Sequence, residues 1–182
     1  MAQVAETQMT AAEYARLGET TQPMELIHGE IVMSPAPIDE HQVLAIAFLD
    51  LLRDIAPGGK RRIAPCDVHL SKHDVVQPDV FWVSAQNTAC KLGADKRWHG
   101  APDLIIEILS PATALRDRRE KFALYEKHGV REYWIADPTT QLVEVYRLKD
   151  RRFQRAGVFG PNDSFESAVL GVTIALNTLF AV

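Results

Sequence analysis

A carboxylate stands in the middle of the most apolar stretch of this 182-residue chain: Glu107, in Asp103-Leu104-Ile105-Ile106-Glu107-Ile108-Leu109. Branched aliphatics packed together in this way read as a strand buried on both faces. An ionised carboxyl there is costly unless a metal, a cation or strong hydrogen bonds compensate it, so Glu107 is a candidate functional acid. A second acid, Asp79, follows Pro78 at the start of Val80-Phe81-Trp82-Val83. Its ordinary alternative is a turn acid that satisfies local backbone N–H groups. Two acids near the ends of neighbouring buried strands project to one point and hold a divalent cation through oxygen ligands. Such a cation polarises a phosphate and activates water without cysteine or histidine. Lys121 is the third member, because Asp117, Lys121 and Tyr125 recur at helical spacing and share one face. A lysine directed into a carboxylate site lowers the carboxylates' proton affinity and stabilises charge building up on a transferred phosphoryl group. On a solvated face the same residues form only a surface Asp117–Lys121 pair, worth a few tenths of a kcal/mol.

The elements that must position these groups follow from the pattern. Thr10, with Glu13 three residues on and Gly18 at the end, marks a short helix over residues 10 to 17. Met24 to Met33, turning at His28-Gly29, reads as a hairpin. Asp39 caps an amphipathic helix to about Ile55, on which Val43, Leu44, Ala47, Phe48, Leu51 and Leu52 recur at helical spacing. Strands are expected around Arg62 to Leu70 and Val75 to Val83, followed by a polar connection over residues 85 to 101. After the Glu107 strand, a helix runs from about Ala112 to His128 and closes at Gly129. Val130 to Ala136, Leu142 to Arg147 and Arg152 to about Val158 read as further strands, and Ile174 to Phe180 as a short closing helix or strand. This order predicts an α/β (α+β) fold, a mixed sheet flanked by helices, with the strand ending at Leu109 joined to the one near Val130 by a right-handed parallel crossover.

Composition bounds the function classes. The chain is long enough for one sizeable core, and 47% hydrophobic with 24% charged residues is ordinary for a soluble globular protein. A formal charge of −4 gives no global pull toward nucleic acid or an anionic membrane, so any such contact must come from a local basic patch. Met1 to Thr10 lacks a secretory pattern, and no apolar stretch reaches membrane-spanning length. Cys66 and Cys90 lie far apart and read as reduced thiols, so the expected location is cytoplasmic. There is no glycine-rich phosphate loop, no HExxH and no GxSxG, and the six histidines share no ligand spacing.

Several segments in order resemble the Uma2 family: residues Glu25 to Val32, Gln77-Pro78-Asp79-Val80, Pro102 to Pro111, the set Asp117, Lys121 and Tyr125, and Gly129 to Trp134. The likeness runs from about residue 10 to about 180, and it implies a single domain over residues 1–182. Uma2 proteins are assigned to the PD-(D/E)XK endonuclease superfamily. The resemblance therefore implies a restriction-endonuclease-like core with an N-terminal hairpin extension, and a metal-dependent endonuclease using Mg²⁺ or Mn²⁺. By that analogy Asp79 is the first acid and Glu107 the second. The usual lysine lies two residues past the second acid, where this chain has Leu109, and Lys121 matches the lysine displaced onto the following helix. Glu30, as a further metal ligand, and His41 fall where the family places groups lining the cavity; Glu25 is a weaker candidate. The ordinary alternatives are an exposed hairpin acid for Glu30 and a first-turn helix residue for His41.

The implied partner is nucleic acid, DNA by expectation, and the phosphate backbone would meet Arg116, Arg118 and Arg119 or Lys91, Lys96 and Arg97. A homodimer is expected by analogy with cutting both strands of a duplex. Two alternatives stay open: a catalytically inactive module of the same fold that binds nucleic acid or protein, and a metal-dependent hydrolase for a small phosphorylated substrate.

Overall fold

A computed structural model describes residues 8–18, 20, 22–111 and 114–180. The chain begins with α1 (Ala11–Tyr14), which continues as a 3₁₀ turn, Ala15–Leu17. Thr10 and Glu13 cap it reciprocally, as their spacing predicts. The hairpin follows as β1 (Met24–Ile27) and β2 (Glu30–Met33). His28 and Gly29 turn it, both at positive φ (53° and 80°). Next comes α2 (Asp39–Ile55), which buries Leu44, Ala45, Phe48 and Leu52 along the stripe its periodicity requires.

The two strands expected over Arg62 to Leu70 and Val75 to Val83 are each broken in two. They form β3 (Lys60–Ile63), β4 (Val68–Ser71), β5 (Asp74–Val76) and β6 (Val80–Val83). The breaks fall at Ala64-Pro65, a cis peptide, and at Gln77-Pro78. Proline donates nothing to a ladder, and here each proline marks the place where the chain leaves one sheet for the other. The polar connection contains two short strands, β7 (Lys91–Leu92) and β8 (Trp98–His99).

The Glu107 strand is β9 (Leu104–Ile108). The helix after it runs as α3 (Ala114–Arg116), a π turn (Asp117–Lys121) and α4 (Phe122–His128), and it ends on Gly129 in the left-handed region. Its expected start at Ala112 lies outside the described residues. Strands β10 (Glu132–Asp137), β11 (Leu142–Lys149) and β12 (Arg152–Phe159) follow. A separate hairpin of β13 (Ser164–Ser167) and β14 (Val172–Ala175) precedes the C-terminal turn; of the closing element expected over Ile174 to Phe180, only Ile174 and Ala175 are strand and the rest is turn.

These elements build two six-stranded mixed sheets, ordered β12-β11-β10-β9-β6-β3 and β2-β1-β5-β4-β8-β7. In the first, β9 and β10 are parallel and joined by the α3–α4 crossover, while β6 and β9 are antiparallel. The N-terminal hairpin extends the second sheet, with Leu26 of β1 opposite Val75 of β5. Strand β9 sits at the centre. Leu104, Ile106 and Ile108 face α2 and Trp134 in one core cluster, whereas Ile105 and Leu109 face α4 and the second sheet in another. By strand alternation Glu107 belongs to the second face, so it points between the sheet and the crossover helix.

Candidate active site

Val80 pairs with Ile106. Asp79 immediately precedes Val80, at the end of β6 nearest Glu107. Asp79 Oδ2 accepts the backbone N–H of Ile108 at 2.7 Å, so the first acid also fixes the strand next to the second. His41, buried in the first turn of α2, places Nε2 at 3.1 Å from the same oxygen. A carboxylate only accepts, so Nε2 carries the proton. His41 Nδ1 is buried without a hydrogen-bond partner among the described residues. Burial works against the imidazolium, but the Asp79 bond and the charges of Asp79 and Asp117 outweigh it and hold His41 above its ordinary pKa.

Glu107, 2% exposed, accepts Lys121 Nζ at 3.0 Å and Tyr125 OH at 2.5 Å through one oxygen. The Lys121 ammonium, equally sequestered, also lies 3.1 Å from Glu25 Oε1 and 3.7 Å from Asp117 Oδ1. Glu25 in turn accepts the backbone N–H of Gln77 at 2.8 Å. The π turn sets Asp117 and Lys121 inward, and Tyr133 OH donates to its Asp117 carbonyl at 3.1 Å. Single π turns inside helices commonly mark functional sites.

One ammonium thus serves several carboxylates. Burial alone would push Lys121 toward neutrality, but Glu107, Glu25, Asp117 and Asp79 together keep it firmly charged. Each carboxylate has only a share of that ammonium. Burial raises the Glu107 carboxyl well above its ordinary range, Lys121 opposes this, and the charges of Asp79, Asp117 and Glu25 reinforce it. The same burial and the Glu107 charge raise the Tyr125 phenol, so it stays a donor.

Asp79, Glu107, Glu25, Asp117 and Lys121 all line one cleft of about 1010 Å³. It opens where the chain crosses between sheets, so Ala64, Pro65 and Gln77 form part of its wall. The structure therefore brings Asp79, Glu107 and Lys121 together. Glu30 is not brought to them: it is exposed at the start of the edge strand β2 and is not among the residues that line the cleft. Glu25 takes the inner position, drawn in by Lys121 and the Gln77 amide, while Glu30 borders the solvent-facing turn. Glu25 carried the weakest sequence signal, since one hairpin acid looks like another until a partner is known.

Of the basic residues expected to meet a backbone, Lys96 and Arg97 line the cleft. Arg116 donates to Ser34 Oγ at 3.0 Å, and Arg118 pairs with Glu144. Among the described residues no group of three His, Cys, Asp or Glu side chains stands in a metal-coordinating arrangement. No helix among them is long and apolar enough to cross a membrane.

Residues 11–177 match the Uma2 family model, described as "Putative restriction endonuclease". This chain belongs to the Uma2 family. The Uma2 chain is 22% identical over 159 residues to the uncharacterized protein slr1290 of Synechocystis sp. (strain ATCC 27184 / PCC 6803 / Kazusa), covering 86% of this chain and 82% of that one. Its fold is similar to a crystal structure of a "putative nuclease belonging to DUF820" from Anabaena variabilis ATCC 29413. The TM-score is 0.78 at 21% identity, over 95% of this chain and 98% of the other. The α/β (α+β) fold expected from the sequence is thus the fold observed, built from two large mixed sheets and similar to that of this putative nuclease.

Proposed function

We propose that this Uma2 protein is a Mg²⁺- or Mn²⁺-dependent endonuclease that hydrolyses phosphodiester bonds of nucleic acid, with DNA as the expected substrate. The observation that carries the reading is the cleft that gathers Asp79, just before β6, and Glu107 of β9, with the Lys121 ammonium bonded to Glu107.

The donor set suits a hard divalent ion in charge and chemistry, although with the Lys121 ammonium among them no three of these side chains stand in a coordinating arrangement among the described residues. Four carboxylates, Glu25, Asp79, Glu107 and Asp117, stand against the single Lys121 ammonium, with His41 beside them. All the anionic donors are oxygens, which Mg²⁺ and Mn²⁺ prefer. Asp79 and Glu107 would hold the ion, with Glu25 the nearest further carboxylate. Bound there, it supplies Lewis-acid polarisation of the phosphodiester and activation of water.

The chain's own residues do the rest. Lys121 keeps its proton and stabilises the charge that builds on the phosphoryl oxygens. Tyr125 holds Glu107 in one orientation. His41 and the Ile108 amide hold Asp79. An ion held by Glu107 would compete with the 3.0 Å Lys121–Glu107 bond.

A second reading, a module of the same fold that binds without cutting, is favoured by one feature: the ammonium already stands where the carboxylates converge. Calorimetric titration of Mn²⁺ into wild type, Asp79→Asn and Glu107→Gln separates the two, combined with nicking of a supercoiled plasmid. The nuclease reading expects saturable binding and nicking, both lost in each variant. Folded wild type that neither binds Mn²⁺ in the presence of oligonucleotide nor nicks would leave the binding module.

A further inference from the structure

The cleft is acidic, so an anionic polymer needs cationic guidance to enter it. The basic residues with the best geometry for this lie on β3. Lys60-Arg61-Arg62 is a run of cations on the edge strand of the first sheet, and its last residue, Ile63, already lines the cleft. Strand alternation puts Lys60 and Arg62 on one face and Arg61 on the other. Both Lys60 and Arg62 are exposed, yet both are seated over the same buried indole. Lys60 Nζ is 5.9 Å and Arg62 Cζ 5.4 Å from the centroid of the Trp98 ring. Trp98 is itself fixed edge-on against Phe81, at 5.7 Å between centroids.

Trp98 follows Lys96 and Arg97, which reach the cleft from the turn between β7 and β8. Arg97 is partly committed to Asp67, at 3.4 Å. The indole therefore joins two basic segments that are distant in sequence into one surface beside the cleft. Lys60 and Arg62 are two residues apart on a strand, about 6.6 Å between Cα atoms, so two cations leave the same face of β3 side by side.

We infer that Lys60 and Arg62, set on Trp98 and continued by Lys96 and Arg97, form a phosphate-binding track that leads a nucleic-acid strand into the cleft. This rests on the nuclease reading but assigns a surface that the acids do not. Cationic heads held over an aromatic face are positioned before a phosphate arrives and lose less freedom on binding it.

The test measures binding of a fluorescein-labelled oligonucleotide, single-stranded and duplex, by anisotropy in EDTA over a range of salt. It compares wild type with Lys60→Gln/Arg62→Gln. A control of equal charge, Arg61→Gln/Arg155→Gln, alters the opposite face of β3 and an exposed position on β12. The track variant should bind at least tenfold more weakly, and its salt slope should fall by roughly 1.4–1.8, as expected for two lost phosphate contacts. The control should stay within twofold of wild type. Equal loss in both doubles, an unchanged salt slope, or no oligonucleotide binding by wild type would each overturn the track. Mn²⁺-dependent cleavage of bis(p-nitrophenyl) phosphate, a diester too small to reach β3, is run on the same proteins. If it is present in wild type and lost in Glu107→Gln, the nuclease reading survives failure of the track.

Discussion

Replacing Lys121 by methionine keeps most of the buried stem and removes the one charge that Glu107 and Glu25 share at 3.0 and 3.1 Å. Removing one partner of a buried ion pair costs about 3–5 kcal/mol, because the other is left uncompensated. Protonation sets a ceiling on that cost. For a carboxyl with an ordinary pKa of 4.5, becoming neutral at pH 7.5 requires about 4 kcal/mol, and at pH 5.5 only about 1.4 kcal/mol. The sign is definite. Glu107 is raised in the folded protein, more so without Lys121, so its protonated form favours folding and that contribution disappears as pH rises through the folded pKa. Wild type should therefore exceed Lys121→Met by about 3–4 kcal/mol in urea unfolding at pH 7.5 and by less than half of that at pH 5.5. Adding Glu107→Gln to the variant should recover much of the loss, as a double-mutant cycle reads it. A gap below about 1 kcal/mol at pH 7.5, within the range of a surface pair, or the same gap at both pH values, would refute the claim that this ammonium is the counter-charge of the buried acid.

Three further substitutions probe other buried groups of the fold. His41→Gln should cost about 1–2 kcal/mol at pH 6. Because the Asp79 pair raises His41 above 6.5, that contribution is complete below pH 6.5 and fades as pH rises through the raised value, so thermal unfolding curves of the two proteins should converge at alkaline pH. Asp74 is buried on β5 and accepts Ser71 Oγ at 2.6 Å and the His28 backbone N–H at 2.8 Å. Burial alone would raise it, but these bonds and His128 hold it below 3.8, so its contribution is present above that pH and lost on acidification. Asp74→Ala should cost about 2–3 kcal/mol at pH 7, with the gap closing toward pH 3 in urea titrations. Gly59→Ala should cost at least about 2 kcal/mol and alter the near-ultraviolet dichroism, because a Cβ there would come within 2.2 Å of the Trp82 ring.

The parts of this fold that bury a regular stripe were readable from sequence. Helix α2 begins and ends where its periodicity and flanking Pro57-Gly58-Gly59 put it, and β9 lies within the predicted apolar run. The sheets were less legible. Alternation continues across Ala64-Pro65 and Gln77-Pro78, and no local signal says that the chain changes sheets there. Strands β7 and β8 are two residues each, too short to show a period, and exist only because β4 offers a partner. At the site, Glu107 stood out because a lone charge in an apolar run needs a partner. That Lys121 is the partner and is buried depends on a π turn that helical spacing alone does not reveal. The Lys60-Arg61-Arg62 run was visible as composition, but its use of Trp98 as a seat is a long-range contact.

The carboxylates and ammonium of the cleft come from positions 25, 79, 107, 117 and 121, and none of the supporting strands places two of them without help from another. During synthesis Glu25 emerges first and Lys121 nearly a hundred residues later. Until then Glu25 and Glu107 have no counter-charge, and burying them is unfavourable, which works against closing β1 and β9 around one another. The cleft is thus a late product of folding, and a fragment ending before the crossover helix carries no assembled centre. For a protein that would cut nucleic acid, incomplete chains are inert by construction.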